Sequence, residues 1–147
     1  MKKLILFIIL ALIMVSNIFF ISSKYRHTSI PKLTVIYKGK NLNVAQGSYY
    51  WKAGFKTKKF TVNNYADIIN NLNGKKDVIN NGQLELHFDY QPEIITLSGG
   101  YTQNAEPTIK NNIINISQGE GTQIYFIDCK WREGTVTYVV VVQIKDL

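Results

Sequence analysis

Cysteine is almost missing from this chain: Cys129 is the only one among 147 residues. A single thiol excludes an intramolecular disulfide framework, and it excludes the CxxC pairs used for zinc binding and thioredoxin-type exchange. Histidine is nearly as scarce, and the two present, His27 and His87, stand too far apart to suggest a histidine-rich metal cage. The stock signatures of catalysis are missing as well. No catalytic, cofactor-binding or metal-ligating residue is therefore assigned, no cofactor is expected, and the chain reads as a non-enzyme. Acidic residues are missing from one whole region. Between Ser22 and Ala66 stand Lys24, Arg26, Lys32, Lys38, Lys40, Lys52, Lys56, Lys58 and Lys59 without one acid, whereas Asp67 to Leu147 holds ten acids against six bases.

What the chain does contain is apolar material: 46% of its residues are hydrophobic and 12% aromatic, which excludes global disorder. The longest apolar run lies at the start, where Lys2 and Lys3 precede Leu4 to Val15 and the run resumes after Ser16 and Asn17 with Ile18, Phe19, Phe20 and Ile21. A core helix of a soluble domain would carry polar residues every three or four positions. This pattern is instead an export signal. A peptidase wants small residues just before and two positions further upstream of its cut, yet cleavage after Ser16 offers Met14 there and cleavage after Ser23 offers Ile21. Residues 4–21 reach the lower bound of about 17–20 residues needed to span a bilayer, so an uncleaved signal anchor is favoured over a secreted protein. No lipobox is possible with the only cysteine near the C-terminus. Flanking charge sets Lys2, Lys3 and the terminal amine against Lys24, Arg26 and Lys32, an indecisive count. The lysine pair ahead of the run is how bacterial export signals begin, and it places the C-terminal domain outside a single-pass anchor. The abundance of Asn, Ile and Lys hints at an AT-rich, low-GC Gram-positive genome.

Setting that segment aside leaves about 120 residues, one domain able to bury roughly two thirds of the surface its unfolded chain exposes. From Leu33 on, short β-rich runs are bounded by Gly, Asn and Pro at the spacing of an all-β sandwich. Strands are expected at Leu33 to Tyr37, around Leu42 to Val44, at Lys58 to Val62, at Gln83 to Tyr90, at Ile94 to Leu97 and around Ile113 to Ile116. Turns are read at Asn80-Asn81-Gly82 and Ser98-Gly99-Gly100. Asn63 or Asn64 can cap a helix whose apolar Tyr65, Ile68, Ile69 and Leu72 share one face and which closes at Asn73-Gly74. The segments Gln123 to Trp131 and Thr135 to Ile144, joined by Arg132-Glu133-Gly134, read as a closing hairpin. Tyr125, Ile127, Cys129 and Trp131 share one face of it, and Val139 to Val142 is apolar on both faces, as in a central sandwich strand. Seven or eight strands result.

The residues Gly47-Ser48-Tyr49-Tyr50-Trp51, the step Pro92-Glu93-Ile94-Ile95 and the closing pattern Tyr125-Phe126-(x4)-Trp131-(x2)-Gly134-(x3)-Tyr138-(x)-Val140-(x)-Val142 resemble a loose group of small exported Gram-positive proteins that end in an immunoglobulin-like hairpin. Where such proteins carry Gly-Thr-Tyr-Cys-Trp, this chain has Tyr50 in place of the cysteine, so a disulfide at that position does not exist here. The hairpin also looks like that of the bacterial immunoglobulin-like proteinase-inhibitor fold. The resemblance covers about half of the exported domain and implies an immunoglobulin-like antiparallel β-sandwich with one short helix, preceded by a hydrophobic N-terminal helix. It implies no site, because fold does not fix function.

Four sets of residues are candidates for chemistry or binding. His87 and Asp89 share a strand face beside Glu85, the material of an oriented general base, although no nucleophile is indicated and a solvated face explains the spacing. Cys129 would be reactive only beside a cation; strand alternation turns Lys130 away, which leaves a small buried hydrophobe or, as the other reading, an intermolecular disulfide. Tyr49, Tyr50 and Trp51 are a candidate aromatic contact for carbohydrate or peptide, set against a core tryptophan with one neighbouring tyrosine. Lys52, Lys56, Lys58 and Lys59 are the candidate polyanion contact, for anionic lipid or a wall polymer.

These readings lead to an expectation: residues 1–23 a signal anchor or signal peptide, 24–31 a juxtamembrane linker, and 32–147 a β-sandwich domain. The role expected is a non-catalytic extracytoplasmic binding or structural module in the cell envelope. It is tethered to the membrane through residues 4–21, and its basic half faces anionic membrane or wall polymer. The alternative is a secreted inhibitor or immunity-type protein that blocks a partner protein through a loop or strand edge. Nucleic acid is not expected, because export removes it and no recognition motif is present.

Overall fold

The structure, a computed structural model, describes residues 2–24, 27–80, 82–99, 109–116 and 119–145. Arg26 of the basic stretch, Asn81 and Gly100 of two expected turns, and the last two residues lie outside that description. In chain order the elements are α1 (Lys2–Lys24), β1 (Leu33–Tyr37), β2 (Lys40–Asn41), β3 (Val44–Ala53), β4 (Lys56–Phe60) and α2 (Ala66–Asn73). They continue with β5 (Asp77–Ile79), β6 (Gln83–Phe88), β7 (Ile94–Gly99), β8 (Ile109–Lys110), β9 (Ile113–Asn115), β10 (Gly121–Lys130) and β11 (Gly134–Ile144). The chain is thus mainly β, as its texture predicts.

Alternation is what builds the two sheets. In β6, Leu84 and Leu86 are buried while Gln83, Glu85 and His87 are exposed, so one face packs and the other is wet. β6 pairs antiparallel with β1 and with β9, giving a first sheet in the order β2-β1-β6-β9-β8. The second sheet runs β4-β3-β11-β10-β7, all antiparallel, with β10 and β11 joined in register from Gly121↔Ile144 to Lys130↔Thr135. β11 outruns β3, whose pairing ends at Val140↔Val44, and β5 takes up the rest of that side in parallel, from Val142↔Asp77 to Ile144↔Ile79.

Between the layers lies one core, drawn from Val35, Leu84, Leu86 and Ile114 of the first sheet and from Trp51, Tyr125, Ile127, Val136, Val140, Val142 and Ile144 of the second. A smaller cluster covers the outer side of the second sheet, where Leu72 of α2 meets Val139 and Val141, flanked by Tyr65, Ile68, Ile69, Ala45, Ile124 and Phe126. The two-sided apolar character of residues 139–142 therefore has a more specific cause than a central position in a sandwich: α2 covers their second face. Asp77, nearly buried, accepts hydrogen bonds from Lys40 Nζ at 2.9 Å and the Asn43 amide at 3.1 Å, and so ties β5 to the β2–β3 connection.

β3 is one ten-residue strand rather than a short run and a separate aromatic cluster, and it survives Gly47 by means of a bulge between its pairings with Val136 and Tyr138. Gly47 is needed there, because a Cβ would sit 2.7 Å from Cε1 of the Tyr65 ring. That ring is held in place by its hydroxyl, which donates to Ser48 Oγ at 3.0 Å and accepts from the Ser48 amide at 3.1 Å. The N-cap of α2 is Tyr65 rather than Asn63 or Asn64, with no side-chain cap, although Asn64 Oδ1 accepts the Ala66 amide at 3.0 Å in the turn before it; Gly74 ends α2 in the right-handed region instead of the left-handed cap that glycine favours. Ser98 and Gly99 belong to β7, not to a turn, and β2, β5 and β8 raise the total among the described residues to eleven strands.

At the other end of the chain α1 is 23 residues long. The two polar residues inside its apolar run bond back to the helix, since Ser16 Oγ and Asn17 Nδ2 both donate to the Ile13 carbonyl, at 2.9 and 2.7 Å. Among the described residues no helix is long and apolar enough to cross a membrane. The described side chains of α1 end at Asn17, so the full apolar length of residues 4–21 is a property of the sequence.

Candidate functional site

The basic residues fall on one structure, the β3–β4 hairpin at the edge of the second sheet. Its register pairs Tyr49 with Phe60, Tyr50 with Lys59, Trp51 with Lys58, Lys52 with Thr57 and Ala53 with Lys56, so Gly54 and Phe55 form the tip. Residues opposite one another across an antiparallel pair share a face. Lys56 and Lys58 therefore stand on the core side with Trp51, and Lys52 and Lys59 on the outer side with Tyr50. Trp51 reaches the core and has 0% exposure, yet every residue of the edge strand β4 is exposed. The result is a ribbon positively charged on both faces. Among the described residues the ion pairs are Lys40 with Asp77 and His87 with Glu85, and neither involves these lysines. Lys52 Nζ lies 5.8 Å from the centroid of the Tyr50 ring, and Phe55 at the tip is 97% exposed.

The aromatic candidates separate. Trp51 is core and Tyr49 packs beside it, with its ring 5.9 Å from that of Phe60, while Tyr50 is 39% exposed on the opposite face. A shared stacking platform of all three is thus not formed; Tyr50 alone is open to a ligand.

At the root of the hairpin the chain leaving α1 is fastened to the domain. The His27 ring stacks on Tyr90 at 3.6 Å and 16°, its carbonyl accepts Trp51 Nε1 at 3.2 Å, and its amide donates to Glu133 Oε1 at 3.4 Å. The Tyr90 hydroxyl donates to Glu133 Oε2 at 2.5 Å, and Trp131 Nε1 donates to the Tyr90 carbonyl at 3.1 Å. Burial of Glu133 by itself would raise its pKa, but the hydrogen bonds from Tyr90 and the His27 amide outweigh it and hold the carboxyl below its ordinary value. Burial first, then the neighbouring carboxylate, pushes the Tyr90 phenol up. Further along, the Tyr138 hydroxyl donates to the Pro31 carbonyl at 2.6 Å and the Lys32 amide to Asp89 Oδ2 at 3.0 Å. Within the stretch of residues 24–31 expected to be a linker, His27 and Pro31 are thus both held by the two-sheet domain.

The remaining candidates carry less chemistry. His87 Nε2 lies 3.3 Å from Glu85 Oε2 with both side chains more than half exposed, while Asp89 turns to the Lys32 amide, so the alternation that sets His87 and Asp89 on one face does not pair them. Cys129 is buried among Ile127, Trp131 and Tyr138, and burial followed by the Asp128 charge pushes its thiol up to about 12, the opposite of an activated cysteine. Among the described residues no group of three or more His, Cys, Asp or Glu is placed to hold a metal ion. A cleft of about 390 Å³ opens between β1, β2 and β3, lined by residues such as Thr34, Asn41, Gln46 and Tyr138, with Lys32 its only charged side chain.

No protein-family model, no curated protein and no solved structure matches this chain. Two features of the site escaped the reading of the sequence. The His27 clasp joins residues more than one hundred positions apart, for which no local signal exists. Phe55 did have a signal, a lone aromatic after Gly54 inside a run of lysines.

Proposed function

We propose that the chain is a membrane-tethered, extracytoplasmic immunoglobulin-like module without catalytic activity, which uses the β3–β4 hairpin to hold an anionic partner of the cell envelope, lipid or wall polymer. α1 serves as a single-pass signal anchor with the sandwich outside. Support for the anchor comes from the apolar run of residues 4–21 and from Ser16 and Asn17, each of which turns one donor back onto the Ile13 carbonyl.

The observation that carries the binding role is the hairpin itself. Lys52, Lys56, Lys58 and Lys59 extend from both faces of an exposed edge ribbon, unpaired with any acid among the described residues, and β4 buries nothing of its own. Four cations held on a rigid ribbon sum to a field that attracts polyanions, at about 1 kcal/mol per lysine beside an anionic surface. The test replaces Lys56, Lys58 and Lys59 by glutamine in the full-length protein. Retention on isolated, salt-washed envelopes is expected to fall steeply at low salt, because screening already weakens it at high salt. Melting temperature is expected to stay within error, since no core contact is lost. Unchanged retention removes the binding role. Protease shaving of intact, wall-stripped cells tests the topology, with loss of a C-terminal tag expected and full protection contrary to it.

A further inference from the structure

The direction in which the hairpin points follows from who touches whom. Trp51, near the C-terminal end of β3, donates to the His27 carbonyl, and Lys52 donates its amide to the Glu133 carbonyl at 2.9 Å. The end of the sandwich that receives the chain from α1 is therefore the end from which the β3–β4 tip projects. Phe55 stands about 10 Å beyond Trp51, given roughly 3.3 Å per strand residue. Lys24, the last residue of α1, is three positions before His27, a reach of at most about 11 Å. The tip thus projects from the end of the domain at which His27 is held, and the last residue of α1 is within that short reach of His27.

We infer that Phe55 is a membrane-interface anchor: the tip of the β3–β4 hairpin inserts its aromatic side chain among the anionic lipid headgroups of the bilayer that holds α1, guided by Lys52, Lys56, Lys58 and Lys59. This rests on the anchor reading above and deepens it by naming the partner. An aromatic ring exposed at 97% on a turn packs against nothing in the domain, so its exposure has no structural explanation there. An amphipathic edge of lysines with one projecting apolar residue is the composition that settles at a lipid interface. The charge distribution agrees. Of the acids near this end, Glu93 directly precedes β7, at the opposite edge of the sheet from β4, while Asp89 follows β6 in the other sheet and accepts the Lys32 amide. Four strand spacings of about 4.8 Å separate those edges, more than the roughly 8 Å over which exposed charges interact at physiological salt. Glu133 is nearer, but it is buried and engaged by Tyr90 and His27.

The test uses the full chain with Phe55→Trp, reconstituted into vesicles of phosphatidylcholine, with and without phosphatidylglycerol, and with brominated acyl chains as a depth-sensitive quencher. The wild-type chain supplies the background of the buried Trp51 and Trp131. The expected result is a blue-shifted, lipid-quenched indole in the anionic vesicles only. Adding Lys56→Gln and Lys58→Gln to the same chain is expected to abolish the quenching, each change weakening the contact roughly fivefold at low salt. A hydrated, unquenched indole on vesicle-bound protein overturns the insertion, as does quenching indifferent to lipid charge. The anchor is judged separately, by alkaline extraction: a chain washed off the vesicles defeats the anchor reading, while the indole signal of whatever floats with them still decides the tip. A chain that fails to float with anionic vesicles at all overturns both.

Discussion

Two strands of one sheet show how differently a chain can use the same backbone geometry. β11 buries Val136, Tyr138, Val140, Val142 and Ile144 against the first sheet and Val139 and Val141 under α2, so both of its faces are committed to the fold. β4, two places away across β3, buries none of its five residues and carries three lysines. The closing hairpin specifies the structure. The edge hairpin is excused from that task, and what it presents to solvent is free to answer to a partner instead. Lysine on an edge strand also blocks pairing with another sheet edge, so the charge protects the exposed ribbon while making it attractive to polyanions.

The largest test of that division is Trp131→Ala. Trp131 is 2% exposed, its ring meets those of Trp51 and Phe88 edge-on at 5.7 and 5.9 Å, and its indole N–H is engaged by Tyr90. Truncation is expected to cost about 3–5 kcal/mol, enough to abolish soluble expression; a loss under about 1 kcal/mol in denaturant titration would show that the buried side of the contrast is overstated. Next comes Gly134→Ala, at the point where the closing hairpin meets β3. A Cβ there would lie 1.9 Å from the Tyr50 carbonyl oxygen, a clash with backbone that only strand separation relieves. Destabilisation above about 1 kcal/mol is expected, with wild-type stability counting against the β3–β11 register.

A smaller effect is expected from pH. Glu133 and Asp77 both have carboxyls held below their ordinary values, where burial opposes ionisation but hydrogen bonds prevail: from Tyr90 to the first, from Lys40 and Asn43 to the second. A depressed native pKa means that the unfolded chain binds more protons, so stability rises with pH in that window. The contribution is complete above the ordinary values of 4.5 and 3.8 and is lost as pH falls through the native ones. Glu133→Gln is expected to cost about 1–2 kcal/mol at neutral pH and to flatten the acid limb of the stability curve. An unaltered acid limb in urea titrations would detach Glu133 from the clasp. Smallest of all is the response of melting temperature to the three glutamines in β4, for which no change is expected.

Legibility in the sequence followed the range of the interactions. β6 and the β10–β11 hairpin were readable because alternation and a tight turn are local, and α2 because Tyr65, Ile68, Ile69 and Leu72 repeat at helical spacing. β5 and β8 were not, since two or three residues carry no period, and β5 exists only because β11 outruns β3. The start of β4 fell two residues earlier than expected, at Lys56, because cross-strand pairing with Ala53 overrides the low β-propensity of lysine. At the site, the lysines themselves were visible in sequence. Their division between two faces was not, because it depends on register, and neither was the His27 clasp, which is made by tertiary contact alone.

That clasp has a consequence for how strongly the hairpin needs to bind. In sequence only two residues separate the last residue of α1 from His27, so on the proposed anchoring the leash to the bilayer would be shorter than the domain it holds. The tip would then be confined to a thin shell above the lipid, and its encounter with the surface would become intramolecular, at an effective concentration in the millimolar range that short connections provide. An affinity too weak to recruit the free domain would suffice to keep the tethered one lying down, and lengthening the leash by a few flexible residues would let it stand up.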